Sequence, residues 1–208
     1  SLAVIADHME AIPGYTGRMK GVARSMPTSY AVDRVAHARG WAAFETPTGW
    51  KFFGNLLDAD RIQLCGEESF GTSSDHVREK DGLWAVLAWL SILADTRESV
   101  ETVVRAHWAH YGRDFYARHD FEGLSADEGD RIVAALRDKL PGLPGTATAA
   151  GPKVFEADEF AYTDPIDGYT AARQGIRVWF ENGARAVFRL SGTGTAGATL
   201  RIYLEQWV

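Results

Sequence analysis

The chain has 208 residues, of which 46% are hydrophobic and 12% aromatic, so it is long enough to bury a full core and to form two domains. Its formal net charge of −6 provides no global positive field, which argues against nucleic acid and membranes as partners and requires any phosphate site to be local. The single cysteine, Cys65, excludes an intramolecular disulfide bond and suits a reducing compartment, so we expect a cytoplasmic protein.

The first 112 residues have the pattern of an α/β domain. Over residues 1–60, short apolar runs alternate with turn signals that contain Pro and Gly, which predicts alternating strands and short helices. We predict a helix over 30–38 with Thr28 or Ser29 as its N-cap, and strands over 41–45 and 61–65. The second strand leads into a loop with a glycine at each end, a place that often carries functional side chains.

Two apolar helices are predicted after this loop. The apolar run over 83–94 is shorter than the roughly 20 residues needed to cross a bilayer, so we predict a buried helix capped by Asp81 and Gly82. A second helix is expected from Ser99 to Gly112, with its apolar side chains on one face. We expect both helices to cover the faces of the sheet.

Residues 113–208 have the pattern of a smaller α+β domain. We interpret 113–120 as an inter-domain connector, because its apolar density is low. Ser125 and Glu128 then form a capping box before an amphipathic helix, which ends at an exposed loop over 141–151. A hairpin with Asn182-Gly183 in a type I′ turn is predicted over 176–190, and a half-buried strand follows.

A glycine-rich stretch, Arg189-Leu-Ser-Gly-Thr-Gly-Thr-Ala-Gly-Ala-Thr-Leu-Arg201, lies between the last two predicted strands. Its glycines let backbone N–H groups face an anion, and its arginines can hold a phosphate with two hydrogen bonds. The glycine spacing formally matches nucleotide-binding motifs, but those need a helix directly after the loop, whereas a strand follows here. A strand–loop–strand phosphate site and a glycine-rich turn with solvated arginines both remain open.

The loop Gly66-Glu-Glu-Ser-Phe-Gly71 offers carboxylates and a hydroxyl group. Adjacent side chains of an extended loop point in opposite directions, so a general acid–base pair of Glu67 and Glu68 is disfavoured. Recognition of sugar hydroxyls fits better, and two solvated glutamates in a turn are the structural alternative.

Two further pairs of side chains could indicate a catalytic nucleophile or a metal site. Cys65 with His76 suggests a thiol nucleophile, but a cysteine that ends an apolar strand is more often a small core residue. His107 and His110 are spaced for one face of a helix, but no third ligand is evident nearby. We assign no metal to this chain.

Five motifs together resemble the α-phosphoglucomutases of the α-D-phosphohexomutase superfamily. In chain order they are Ala23-Arg-Ser-Met-Pro-Thr-Ser29, Thr46-Pro-Thr-Gly-Trp-Lys-Phe-Phe-Gly-Asn55, Cys65-Gly-Glu-Glu-Ser-Phe-Gly71, Asp75-His-Val-Arg-Glu-Lys-Asp-Gly-Leu-Trp84 and the glycine-rich stretch. The resemblance implies a mixed α/β sugar-binding domain over 1–112, similar to the family's third domain. It also implies a smaller α+β phosphate-binding domain over 113–208, similar to most of the fourth and shorter at its C-terminus.

The resemblance also implies an activity and site residues. Family members interconvert glucose 1-phosphate and glucose 6-phosphate through a phosphoserine, a glucose 1,6-bisphosphate intermediate and Mg²⁺. Carried over by motif, the residues expected to contact or line the sugar site are Glu67, Ser69, Thr48, Gly49 and Lys80. Those expected to bind the phosphate that is not being transferred are Arg189, Ser191, Gly192, Thr193, Gly194 and Arg201.

Two departures from the family pattern limit what this chain is expected to do. Nothing in it resembles the family's Thr-Ala-Ser-His-Asn segment, which carries the phosphoryl group, or its Asp-Gly-Asp-Gly-Asp-Arg loop, which binds Mg²⁺. Without them there is no nucleophile and no neutralising metal, so we expect no catalytic residue here and no activity of this chain alone. Its expected partners are a hexose phosphate and the family's first two domains. The alternative is a non-catalytic protein that binds sugar phosphates or acts as a scaffold.

Overall fold

The computed structural model describes residues 1–149, 151–194 and 197–208, with the backbone alone at 193 and 194. These residues form two compact units. The first comprises Ser1–Arg113 and Thr163–Tyr169, and the second comprises Asp114–Tyr162 and Thr170–Val208.

The first unit is built on a four-stranded sheet in the order β2-β1-β3-β4. Strands β1 (Gly21–Ser25), β2 (Ala42–Thr46) and β3 (Leu64–Gly66) are parallel, and β4 (Thr72–Ser74) is antiparallel to β3. Parallel strands need crossover connections, and helices supply two of them here. The helices of this unit are α1 (Leu2–Asp7), α2 (Ala31–Arg39), α3 (Lys51–Asp58), α4 (Gly82–Thr96) and α5 (Val100–Tyr111).

Apolar clusters cover both faces of this sheet. Val22 and Leu64 belong to a core cluster that includes side chains of α1, α2, α4 and α5. Ala23 and Cys65 belong to a second cluster, formed with α3. Because successive strand residues point to opposite faces, the two clusters lie on opposite sides of the sheet. The predicted mixed α/β fold is therefore confirmed for this unit.

The start of α2 differs from the prediction. The residue at its N-cap is Tyr30, without a capping side chain, and neither Thr28 nor Ser29 occupies that position. The Thr28 hydroxyl is already hydrogen-bonded to Ser25 Oγ at 2.7 Å, and Ser29 Oγ accepts a hydrogen bond from the Ala31 amide at 3.3 Å. The predicted N-cap was wrong because the Thr28 hydroxyl is used to stabilise the preceding turn.

Helix α4 begins as predicted but is not buried all round. Asp81 caps it by accepting a hydrogen bond from the Trp84 amide. Ala88 and Ile92 are buried, whereas Leu83, Leu87 and Leu90 are 79%, 62% and 55% exposed. The prediction of a buried helix was wrong because only one of its two apolar faces meets the core. Among the helices that the structure describes, none has the length and apolarity to span a bilayer.

The second unit contains a five-stranded antiparallel sheet in the order β5-β11-β10-β9-β6. Its strands are β5 (Asp114–Leu124), β6 (Val154–Glu159), β9 (Ile176–Phe180), β10 (Ala184–Gly194) and β11 (Gly197–Trp207). A separate two-stranded ribbon pairs β7 (Tyr162–Thr163) with β8 (Thr170–Ala171), where the chain leaves this unit and returns to it. Helix α6 (Ala126–Lys139) opens with the predicted capping box and packs Val133 and Leu136 against the sheet.

Two predictions for this unit are corrected. The expected connector over 113–120 lies largely in β5, whose low apolar density reflects its exposed position at the edge of the sheet. The hairpin between β9 and β10 forms, but its loop has three residues, Glu181 to Gly183, and only Gly183 has a positive φ, of 78°. A type I′ turn needs a positive φ at both central residues, so that part of the prediction was wrong.

Candidate functional site

The predicted sugar-site residues lie in the first unit, mainly in loops that follow the carboxyl ends of its parallel strands. The loop after β2 contains Thr48 and Gly49, and the loop after β3 contains Glu67 and Ser69. In open α/β sheets the carboxyl ends of the strands are the usual place for ligands. The sheet therefore brings these two loops to the same edge.

The loop between β3 and β4 is a tight turn. The Glu67 amide donates a hydrogen bond to the Gly71 carbonyl at 2.8 Å, and the Phe70 amide donates to the Glu67 carbonyl at 3.2 Å. Phe70 has a positive φ of 63° and is 80% exposed, and Ser69 is exposed beside it. The turn thus presents Ser69 and Phe70 at the surface while Glu67 points inward.

The buried Glu67 carboxylate joins three segments of the chain. Its Oε1 accepts a hydrogen bond from the Gly49 amide at 2.9 Å, and its Oε2 lies 2.5 Å from Lys80 Nζ. Gly49 has a φ of 131°, a conformation that side chains rarely allow. Three of the five predicted sugar-site residues are therefore in direct contact, whereas Thr48 is next to Gly49 in the chain and Ser69 lies on the same loop as Glu67.

Gly71 and Trp50 lie against the Lys80 side chain beside this carboxylate. A Cβ atom at Gly71 would lie 2.9 Å from Lys80 Cδ and Cε, so the missing side chain makes room for the lysine stem. The Lys80 ammonium group also lies 5.7 Å from the Trp50 ring centre. Thr48 Oγ1 is buried and has no hydrogen-bond partner among the described residues, so it retains hydrogen-bonding capacity at this edge.

Arg24, which the sequence-based site prediction missed, supports the neighbouring loop after β1. Its side chain is 2% exposed, and it pairs with Asp33 at 2.5 Å and with Glu45 at 3.0 Å. Burial alone would lower the pKa of Arg24, but the charges of Asp33 and Glu45 outweigh it and raise that pKa above its ordinary value. The signal in the sequence is a single arginine within the apolar strand Gly21–Ser25.

The environments of Cys65 and His107 favour structural roles for these two side chains. Burial, followed by the charge of Glu67, raises the pKa of the Cys65 thiol well above its ordinary value, which disfavours a thiolate nucleophile. His107 is buried beside Asp7 and Tyr111. Within the described ranges, no group of three or more His, Cys, Asp or Glu side chains could hold a metal ion, so the Mg²⁺ implied by the resemblance finds no fitting ligand set there.

The predicted phosphate residues of the second unit lie on β10 and β11. Arg189 pairs with Arg201 across the two strands, and Ser191 pairs with Thr199. Residues two apart on a strand share a face, so these four side chains lie on one face of the sheet. Two arginines directly opposite each other make a local positive patch in an otherwise acidic chain.

The turn beyond these pairs is only partly described. Gly192 has a positive φ of 71°, and the strand register shifts between Ser191 and Gly194. Thr193 and Gly194 belong to β10, and the described residues do not include Thr195 and Ala196. Arg201 Nε lies 3.7 Å from Asp120 Oδ2, and Arg118 Nε lies 3.1 Å from the other oxygen of that carboxylate. Asp120 thus partly balances the positive patch.

Two protein-family models together match nearly the whole chain. The model described as phosphoglucomutase/phosphomannomutase, alpha/beta/alpha domain III, matches residues 1–111, which is more than half of the chain. The chain belongs to the phosphoglucomutase/phosphomannomutase family. A second model, described as phosphoglucomutase-1, C-terminal domain, matches residues 113–208. The resemblance deduced from the five motifs is thereby confirmed.

Individual relatives agree with this family. A phosphoglucomutase of Rhizobium radiobacter is 58% identical over 207 residues, and human phosphoglucomutase-1 is 53% identical over 214 residues. Both alignments cover the whole chain, which spans 38% of the length of each relative. Among solved structures, the open form of pp63/parafusin, a phosphoglucomutase from Paramecium, has a TM-score of 0.86 and 47% identity, and the match covers 100% of this chain and 36% of that one.

A more distant structure shares the fold alone. A phosphoglucomutase/phosphomannomutase family protein from Burkholderia thailandensis has a TM-score of 0.60 and 16% identity, and the match covers 100% of this chain and 37% of that one. The fold is thus retained at low sequence identity.

Proposed function

We propose that this chain supplies the sugar-binding and phosphate-binding surfaces of a phosphoglucomutase, which interconverts glucose 1-phosphate and glucose 6-phosphate. The observation that carries the proposal is the buried Glu67 carboxylate, which holds both Gly49 and Lys80 at the carboxyl edge of the sheet. Such an arrangement orients hydrogen-bonding groups before a ligand arrives, which lowers the entropy cost of binding.

The roles of the chain's own residues are binding and orientation. In the first unit, Thr48, Gly49, Glu67, Ser69 and Lys80 are proposed to contact or line the sugar site. In the second unit, the residues proposed to bind the phosphate that is not being transferred are Arg189, Ser191, Gly192, Thr193, Gly194 and Arg201. The paired arginines support this role because guanidinium groups bind phosphate oxygens with charge-assisted hydrogen bonds.

The proposal places these roles in a sugar-binding domain over 1–112 and a phosphate-binding domain over 113–208. Glucose is proposed as the sugar because the loop contains Glu67-Glu-Ser-Phe70, the form that resembles glucose-specific members of the family. The phosphoserine, glucose 1,6-bisphosphate and Mg²⁺ belong to the longer enzyme in this proposal, and the chain alone is expected to be inactive. A cytoplasmic location is also proposed, as the name of the pea phosphoglucomutase indicates for that relative.

Titration with glucose 1-phosphate tests the proposed binding. Calorimetry at low salt should detect binding to the wild-type chain, and added salt should weaken it because the phosphate contacts are electrostatic. Arg189→Ala should lower the affinity about tenfold or more, the scale of a lost hydrogen bond to a charged group. Arg105→Ala is the matched control, since Arg105 pairs with Glu101 on an exposed helix face. Equal affinities of both variants would contradict the phosphate assignment.

A further inference from the structure

A closed ring of hydrogen bonds surrounds His76 at the start of α4. His76 Nδ1 lies 2.6 Å from Ser74 Oγ, which is also hydrogen-bonded to the Tyr15 hydroxyl. His76 Nε2 lies 2.8 Å from Asp81 Oδ2. Trp84 completes the ring, because its amide donates to Asp81 Oδ1 at 3.0 Å and its indole N–H donates to the Tyr15 hydroxyl at 3.1 Å. Five residues are thus linked without interruption, four of them by side chains alone and Trp84 by its indole and its backbone amide.

One arrangement of the protons gives every hydrogen bond of this ring a donor and an acceptor. An indole N–H can only donate, so the Tyr15 oxygen accepts from Trp84, and in this arrangement the Tyr15 proton goes to Ser74 Oγ. The Ser74 proton then goes to His76 Nδ1, which must accept it. His76 Nε2 consequently carries the ring proton and donates it to the Asp81 carboxylate.

The other protonation forms of His76 fit less well. A neutral ring with its proton on Nδ1 would direct the Nε2 lone pair at the Asp81 carboxylate, and these two acceptors repel each other. A doubly protonated ring would donate to Ser74 as well as to Asp81, and the Ser74 and Tyr15 protons would then have one acceptor fewer within the ring of hydrogen bonds. The neutral Nε2–H form is the one in which each of these hydrogen bonds has one donor and one acceptor.

This ring holds the segment that carries Lys80. His76 and Asp81 are five residues apart, so their hydrogen bond closes the segment between them into a loop. Asp81 immediately follows Lys80, whose Nζ lies 2.5 Å from Glu67 Oε2. The hydrogen bond from His76, followed by that from the Trp84 amide, keeps the pKa of the Asp81 carboxyl below its ordinary value. Asp81 thus stays ionised as it anchors both the loop and α4.

We propose that His76 is a positioning residue: in its neutral Nε2–H form it holds Asp81 in place and thereby sets Lys80 against Glu67. His76 is linked to the sugar-site residues through Asp81, which is next to Lys80 in the chain. The ring is not a nucleophilic triad, because Ser74, the last residue of β4, is fully buried against Tyr15 and offers no access to a substrate. The effect on ligand binding, but not the geometry, rests on the proposed function.

Nuclear magnetic resonance of the chain with ¹⁵N-labelled histidine and lysine tests the geometry directly. At neutral pH, His76 Nδ1 should show the shift of an unprotonated ring nitrogen and Nε2 that of a protonated one. His76→Ala should also shift the Lys80 side-chain resonances. His37→Ala, which removes an exposed histidine of α2, is the matched control and should leave them unchanged. A protonated Nδ1 in the folded wild-type chain would overturn the proposal.

Titrations with glucose 1-phosphate measure the consequence. His76→Ala should weaken binding roughly tenfold, the scale on which supporting hydrogen bonds act on the groups they orient. His76→Gln should restore most of the affinity, because its amide can still donate to Asp81. A folded His76→Ala chain with unchanged Lys80 resonances and affinity would refute the positioning role. Failure of the wild-type chain to bind would contradict the proposed function, and the nitrogen and Lys80 shifts would still decide the geometry.

Discussion

Removing the Glu67 carboxylate should destabilise the first unit, because it connects the loops after β2 and β3 with Lys80. The Glu67 side chain is 6% exposed, whereas that of Lys80 is 46% exposed. Solvent therefore screens the ion pair, which we take to contribute about 0–1 kcal/mol to the free energy of unfolding. The hydrogen bond from the Gly49 amide to a charged acceptor contributes about 1.5–3 kcal/mol.

These two contributions predict different costs for two variants. Glu67→Gln keeps an amide oxygen for the Gly49 N–H but loses the charge, so we expect a loss of about 1 kcal/mol. Glu67→Ala removes both interactions and leaves a buried donor unsatisfied, so we expect about 2–3 kcal/mol. Glu101→Gln is the control, since its pair with Arg105 is exposed and should contribute at most about 0.5 kcal/mol.

Urea denaturation followed by tryptophan fluorescence measures these losses. Hydrogen exchange at the Gly49 amide supplies a local measurement, because that amide should exchange faster in Glu67→Ala than in the wild-type chain. If Glu67→Ala costs no more than Glu101→Gln and leaves Gly49 exchange unchanged, the account of Glu67 as the connector of these loops is wrong.

Three further predictions concern the core of the first unit. Burial alone would raise the pKa of Asp7, but the nearby His107 and the hydrogen bonds from Arg39 and Tyr111 hold that pKa well below the ordinary 3.8. This stabilisation is present at neutral pH and is lost as the pH falls below that ordinary value, so thermal unfolding between neutral and acid pH should depend less on pH in Asp7→Asn. On α4, Ile92→Ala should cost about 2–5 kcal/mol in urea denaturation, whereas the exposed Leu90→Ala should cost at most about 0.5 kcal/mol. The buried Cys65 thiol, whose pKa is raised, should not react with a thiol reagent until the chain unfolds, and fast reaction of the native chain would contradict its burial.

Sequence patterns predicted the elements whose signals are local. The capping box of Ser125 and Glu128, the cap at Asp81 and the hairpin that contains Gly183 all formed where residue chemistry placed them. Strand β5 was missed because an exposed edge strand needs few apolar side chains. The exposed face of α4 was missed because periodicity cannot show which of two apolar faces will meet the core.

Local sequence patterns also predicted one loop of the candidate site but not the contacts that this loop makes. The glycine-bounded loop around Glu67 was singled out from its composition, and its meeting with Gly49 and Lys80 followed only from the resemblance to a family. Spacing alone could not bring these segments together, since tertiary contacts join residues far apart in the chain. Arg24 was missed for the same reason, because Glu45 lies on another strand. The ring around His76 was missed because Tyr15, which closes it, is distant in the chain.

Chemical-shift mapping with three ligands tests the central claim most directly. Inorganic phosphate should perturb amides around Arg189, Ser191 and Arg201, and glucose should perturb amides around Gly49 and Glu67. Glucose 1-phosphate should perturb amides of both groups. If glucose 1-phosphate leaves the amides around Gly49 and Glu67 unchanged, the assignment of a sugar-phosphate ligand to this chain is contradicted.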